Sequence, residues 1–182
     1  GWNIRTSNPQ APFNLVFTPF FDHLWFLWFL CWYLPCFLLW AKWAEKRTFT
    51  VGLKRWVLSP YAYLWLIPLT FFAQCFMGIV SPSIGPDTSV GLIPQPHLLL
   101  YYALFFGFGV LYYESDDSEG RLGKRWAVAI PIALFGVLIG VFITLSNPLL
   151  SALLQVVYAW MMCFATIGMF RRILKKESPV LR

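Results

Sequence analysis

Apolar and polar positions fall into long blocks along this chain, with little alternation. Five apolar runs stand out: His23 to Ala41, Tyr61 to Val80, His97 to Tyr113, Trp126 to Leu145 and Leu149 to Phe170. None contains Asp, Glu, Lys or Arg. Each has about the 17–25 residues that a helix needs to cross a hydrocarbon core roughly 30 Å thick. Inside lipid every backbone N–H and C=O must be paired within its own segment, so such runs are helices. The pattern predicts an all-α, polytopic membrane helix bundle with five transmembrane helices, residues 1–182 forming part of a single domain. Pro35, Pro68 and Pro131 fall inside three of the runs and predict kinks.

Composition excludes the soluble classes. Of 182 residues 59% are hydrophobic and only 12% charged, against about 25% charged in a soluble domain. The charge that remains is placed unevenly. Lys42 to Arg55 holds five basic residues, Glu114 to Arg125 three and Arg171 to Arg182 five, so thirteen of fourteen fall on one side of an alternating five-span map. The positive-inside rule puts that side in the cytoplasm, with the start of the chain outside and its end inside. This asymmetry accounts for the net charge of +6, and no nucleic-acid partner is needed to explain it.

Other features narrow the picture less. The chain opens on Gly, and its first twenty residues lack the basic-then-apolar order of a signal peptide. An odd number of spans entered from outside suggests an internal piece of a larger protein. Cys31, Cys36, Cys75 and Cys163 all lie within the runs and read as small apolar fillers. No spacing suggests a metal site. Gly136 with Gly140, and Ala103 with Gly107, are small-residue pairs four apart that permit close helix contact. The mixed-sign segment "ESDDSEGRLGKR" reads as a solvated cytoplasmic loop.

Candidate chemistry gathers at the outer ends of the runs. The first opens "DHLWFLWFLCW", placing Asp22 and His23 at the membrane surface with Trp25, Trp28 and Trp32 below them. At 1.5 Å rise per residue Trp32 lies about 10 Å beneath Trp25. The three tryptophans share one helical face, whereas His23 lies on another. They form either interfacial anchors and helix packing or one wall of a pocket for a sugar ring or acyl chain. At similar depth lie Gln74, His97 with Tyr101 and Tyr102, and Gln155. Such residues serve either as hydrogen-bonding glue between helices, worth about 0.6 kcal/mol each, or as parts of a shared outward-facing polar pocket.

Three stretches carry a family resemblance. "HLWFLWFL", "YYALFFGFGVLYY" and "MFRRILKKESPVLR" resemble, in order and spacing, segments of the acyltransferase family 3 membrane proteins, closest to the branch of the glucan biosynthesis protein C type. The resemblance implies a bacterial inner-membrane enzyme of more spans than these five, this chain being its middle portion. It further implies transfer of an acyl group, acetyl or succinyl, from cytoplasmic acyl-coenzyme A to hydroxyls of a glycan or other surface acceptor, with no bound cofactor. The family's catalytic histidine belongs to a first span that this sequence does not contain, so His23 does not inherit that role. O-acyl transfer needs a base for the acceptor hydroxyl and donors for the developing oxyanion. The principal histidine is therefore expected upstream. Asp22 and His23 are candidate contributors, and Trp25, Trp28, Trp32, Gln74, His97, Tyr101 and Gln155 are the expected substrate-binding set. The chain alone is expected to be inactive. A secondary transporter or flippase for a glycan or lipid, and a non-catalytic membrane scaffold, are the alternatives. Coupled transporters generally carry an ionisable residue within a span, and these runs offer only the two histidines at their outer ends.

The alternating map has a direct test. In a cysteine-free background, Ser83→Cys and Ser89→Cys should react with an impermeant thiol reagent added outside, and Ser118→Cys should not. The reverse labelling pattern would invert the map.

Overall fold

The computed structural model describes residues 24–44, 56–59, 61–77, 84–88, 91–115, 117 and 120–174. All regular structure among them is helical. Five helices follow the five apolar runs: α1 (Trp25–Ala44), α2 (Ala62–Gln74), α3 (Pro96–Ser115), α4 (Trp126–Ile143) and α5 (Pro148–Leu174). Four are long and apolar enough to cross a membrane. With 13 residues, α2 rises only about 20 Å. It stops short of the expected Val80 because Phe76 and Met77 donate their N–H groups to the carbonyls three residues back, of Ala73 and Gln74. That tighter winding is typical of a helix terminus, and residues 78–80 lie outside the described set. The outer surface carries the large apolar side chains: Leu39, Phe135, Ile143 and Leu174 are each more than two-thirds exposed. Such an exterior suits acyl chains and would aggregate in water.

Ring and hydrogen-bond pairs give the helix directions. Trp25 meets Tyr102 and Tyr33 meets Phe106, so α1 and α3 run parallel. Phe105 meets Trp160 and Tyr112 meets Arg171, so α3 and α5 run parallel. Tyr63 meets Phe164 and Gln74 meets Gln155, so α2 runs against them. Lys42, the segment 121–125 and Arg171–Arg172 therefore share one end of the bundle, and residues 84–88 and 91–95 share the other.

Trp160 lies at the centre of the main core with no exposed surface. Its ring stacks on Phe105 at 4.3 Å between centroids and 9° between planes, and meets Phe108 edge-on at 5.3 Å. Its indole N–H donates to the Thr70 hydroxyl at 3.0 Å, and that hydroxyl donates to the Leu66 carbonyl at 2.7 Å. One residue of α5 thus fastens α2 and α3 together. A second cluster, Phe29 and Tyr33 of α1 with Ala73, Met77, Leu98 and Tyr101, joins α1 to this core.

The helices continue through Pro35 and Pro68. Only Pro131 is followed by a change of helix type, a π segment over Ile132–Val137. Proline removes one N–H from the ladder, and a wider turn absorbs the mismatch. Of the four small residues expected at helix contacts, Gly140 approaches α5, where an added methyl group would stand 3.3 Å from Leu154. Gly136 would meet only its own helix, and Gly107 faces open space. The tight glycine contact is elsewhere. Gly123 has φ +72° and lies backbone to backbone against Gly168, so that a Cβ on Gly123 would stand 2.7 Å from the Gly168 Cα.

The mixed-sign segment is also more than a solvated loop. The Asp117 side chain is only 1% exposed and pairs with Arg171 at 3.1 Å. It accepts the N–H groups of Arg121 (2.8 Å) and Leu122 (3.1 Å), and Tyr112 bridges it to Arg171. Leu122 then enters the main core. Sequence pattern sees four acids and three bases in a row; it does not see that one acid has a guanidinium waiting fifty-four residues later.

The glycine contact predicts a contrast. Gly123→Ala and Gly168→Ala should each destabilise the bundle by about 1–3 kcal/mol or more, as overpacked sites do, and Gly136→Ala should be neutral or mildly stabilising. Thermal unfolding in detergent measures all three; equal midpoints would show that the contact has room to relax.

Candidate functional site

A cavity of about 330 Å³ opens at the end of the bundle opposite the basic residues. Helix α3 supplies Tyr101, Tyr102 and Phe105 to its wall, α4 supplies Leu138 and Val141, and α5 supplies Gln155, Tyr158 and Ala159. Spacings of three and four residues put each group on one helical face. The α4 pair lies just past the π segment, whose extra residue resets which side chains face inward. Ile84, Gly85 and Pro86 close the top.

That closing loop is tied down by side chains. Gly85, at φ +96° where a side chain would be strained, donates its N–H to Gln155 Oε1 at 3.0 Å. Tyr102 donates its hydroxyl to the Asp87 carbonyl at 3.2 Å, and Trp28 donates its indole N–H to the Leu92 carbonyl at 2.8 Å. The Gln155 amide is engaged at both polar atoms: Oε1 also accepts from Gln74 Nε2 at 3.3 Å, and Nε2 donates to the Ser151 hydroxyl at 3.2 Å. Gln74 is only 4% exposed, and its Oε1 is buried without a hydrogen-bond partner. Turning that amide over would set two oxygens against each other, so the network fixes the unpaired atom as an acceptor. A buried acceptor without a donor is costly. It lies behind the cavity lining, which Gln74 reaches through Gln155.

No family model, curated protein or solved structure matches this chain. What the site can do is therefore argued from its own residues. Its walls are mainly aromatic and aliphatic with one amide corner, which suits a ring or chain bearing a hydroxyl. Among the described residues no cluster of His, Cys, Asp and Glu is arranged to hold a metal ion.

The expected binding residues divide into three groups. Tyr101 and Gln155 line the cavity, and Gln74 joins them through Gln155. Trp25 touches the wall from behind, its ring 5.1 Å from Tyr102. Trp28, Trp32 and His97 are not in the lining: Trp28 and Trp32 stand edge to face at 6.0 Å, Trp32 is 48% exposed, and His97 lies beside Phe76. Asp22 and His23 lie outside the described residues. Sequence reasoning missed Tyr158, Ser151 and Gly85. The spacing Ser151-x-x-x-Gln155 was an available signal for a polar helix face, but nothing in the sequence announces that Gly85 meets it.

The two glutamines should behave differently. Gln155→Met leaves the Gly85 N–H and the Gln74 amide unpartnered and should cost about 1–3 kcal/mol. Gln74→Met loses one long hydrogen bond but removes the unpaired acceptor, so its change should stay within about 1 kcal/mol of wild type. Unfolding midpoints in detergent measure the difference.

Proposed function

We propose that this chain is the middle portion of a membrane O-acyltransferase that modifies hydroxyls of a glycan or other surface acceptor, with acyl-coenzyme A as donor. The observation that carries the reading is the aromatic cavity, whose lining carries the Gln155 amide at one corner among tyrosines and aliphatic side chains. The order of "HLWFLWFL", "YYALFFGFGVLYY" and "MFRRILKKESPVLR" supports the same class. In this reading the enzyme sits in a bacterial inner membrane, with the basic end of the bundle cytoplasmic and the cavity facing outward.

The reaction asks little of the cavity beyond positioning. A histidine outside this chain takes the acceptor's proton, and the oxygen attacks the carbonyl carbon of a thioester that the rest of the enzyme would bring from the cytoplasmic side to the cavity. The C–S bond breaks, and coenzyme A leaves as a thiol with that proton. Tyr101, Tyr102 and Tyr158 would hold the acceptor's apolar faces while the Gln155 amide, itself held by Gln74, meets a neighbouring hydroxyl. His23, expected at the mouth of α1, would shape the same site with Asp22. The absence of ionisable residues from the middle of the five runs favours an enzyme over a coupled transporter.

The test uses the complete enzyme in membranes, with radiolabelled acyl-coenzyme A and a polysaccharide acceptor. His23→Gln should lower transfer roughly 10–1000-fold, the worth of one positioned proton-transfer or oxyanion contact. Gln74→Met, which releases one hold on the Gln155 amide, should lower it by up to about tenfold. Trp32→Leu should have less effect than either, and the amount of inserted protein should be unchanged in all three. Acceptor movement across vesicles without acylated product would replace this reading with a transporter.

A further inference from the structure

The basic end of the bundle holds a second built hollow, independent of the acyl-transfer reading. Gly123 lies against Gly168, and Asp117 grips the N–H groups of Arg121 and Leu122. Together they fold the segment 121–125 beneath α2 and α5. The fold leaves a cavity of about 440 Å³ with Lys124 and Arg125 at its rim and Tyr63, Trp126, Ala129 and Phe164 among its walls. A smaller hollow of about 200 Å³ shares Gly123, Lys124 and Trp126 with it and adds Arg171 and Arg172. Among the described residues no acidic side chain lines either one. The buried carboxylate nearby, Asp117, is already held by Arg171 and two backbone amides. Among the described residues the linings are therefore basic at a place where apolar wall and water-exposed rim meet.

A soluble anion needs the cations but not the apolar wall. An acyl chain needs the wall but not the cations. A phospholipid with a net negative headgroup uses both, and basic pockets between spans at this level of a membrane are of the kind that hold anionic headgroups. The larger hollow falls within the roughly 300–1,000 Å³ of sites that enclose a small ligand. We propose that this hollow is a binding site for an anionic phospholipid of the adjoining leaflet. Lys124 and Arg125 take the phosphate, with Arg172 in the adjoining smaller hollow, and the start of an acyl chain lies along Tyr63, Ala129 and Phe164. Trp126 marks the boundary, where indole rings are at home.

Native mass spectrometry and thermal unfolding of the full chain in neutral detergent test this with defined probes. Phosphatidylglycerol should be retained and should raise the unfolding midpoint; phosphatidylcholine with the same acyl chains should do neither. The double substitution Lys124→Gln/Arg125→Gln should weaken phosphatidylglycerol binding by about 25-fold, the product of roughly fivefold for each cation near an anionic headgroup. Its midpoint without lipid should match wild type. Lys42→Gln, a basic residue at the same end that lines neither hollow, should leave binding unchanged. Equal retention of the two lipids in the wild-type protein would overturn the proposal, and this comparison stands even if the double variant does not fold. An equal loss with Lys42→Gln would reduce the effect to diffuse charge. Displacement of phosphatidylglycerol by inorganic pyrophosphate or coenzyme A would make the ligand a soluble phosphate compound.

Discussion

The bundle depends on one hydrogen bond in its interior, from the Trp160 indole N–H to the Thr70 hydroxyl. Both groups are fully buried, and an indole N–H without an acceptor there would carry a penalty of about 1–3 kcal/mol. Threonine meets the need economically. Its oxygen accepts from the indole while its proton goes to the Leu66 carbonyl one turn back, so no new unpaired donor enters the core. The bond fixes the height of α2 against α5, and the stacked Phe105 fixes α3 against both. Because α2 is the shortest of the five helices, it has the least apolar surface with which to choose its own register. A directional bond at its middle supplies what area does not.

The two ends of the bundle are finished by different chemistry, and each creates a hollow. At the end carrying residues 84–88 and 91–95, neutral amides, hydroxyls and indoles tie the chain over an aromatic cavity. Neutral groups can be buried there at the cost of one hydrogen bond each. At the other end, Asp117 and Arg171 form a charged pair with most of the carboxylate's capacity used by backbone amides. A charge so deeply placed is tolerable only when paired and hydrogen-bonded, and removing either partner strands the other. The pairing turns a short hydrophilic connection into a structural floor, and the remaining cations are displayed around it. The acyl-transfer and lipid-binding proposals therefore use opposite ends of the protein and fail or stand separately.

How much of this was legible in the sequence differs from element to element. Helix class, number and approximate bounds followed from the apolar runs, because in a bilayer an unpaired backbone has no alternative to the helix. The alternating directions followed from the runs and the lysines. The candidate site was legible in part. A glutamine six residues into an apolar run is conspicuous by its cost, and Gln74 and Gln155 do meet. Tyr158 and Gly85 were invisible, since a tyrosine or glycine in such surroundings has many uses. The small-residue pairs misled in the opposite sense: Gly136 has the right spacing but the wrong face.

What the sequence alone determined is everything that solvent dictates: a helical membrane protein with five apolar segments and a basic side. Those conclusions rest on the free energy of single groups in water or hydrocarbon, which needs no partner to evaluate. Tertiary structure alone decided which polar groups would meet. Gly123 with Gly168, Asp117 with Arg171, Thr70 with Trp160 and Gln155 with Gly85 are separated by 45 to 90 residues in the chain. Whether each is a liability or a lock depends on helix rotation and register. Those are set by the sum of many packing contacts and by one change of helical pitch after Pro131, none of which has a local sequence signature.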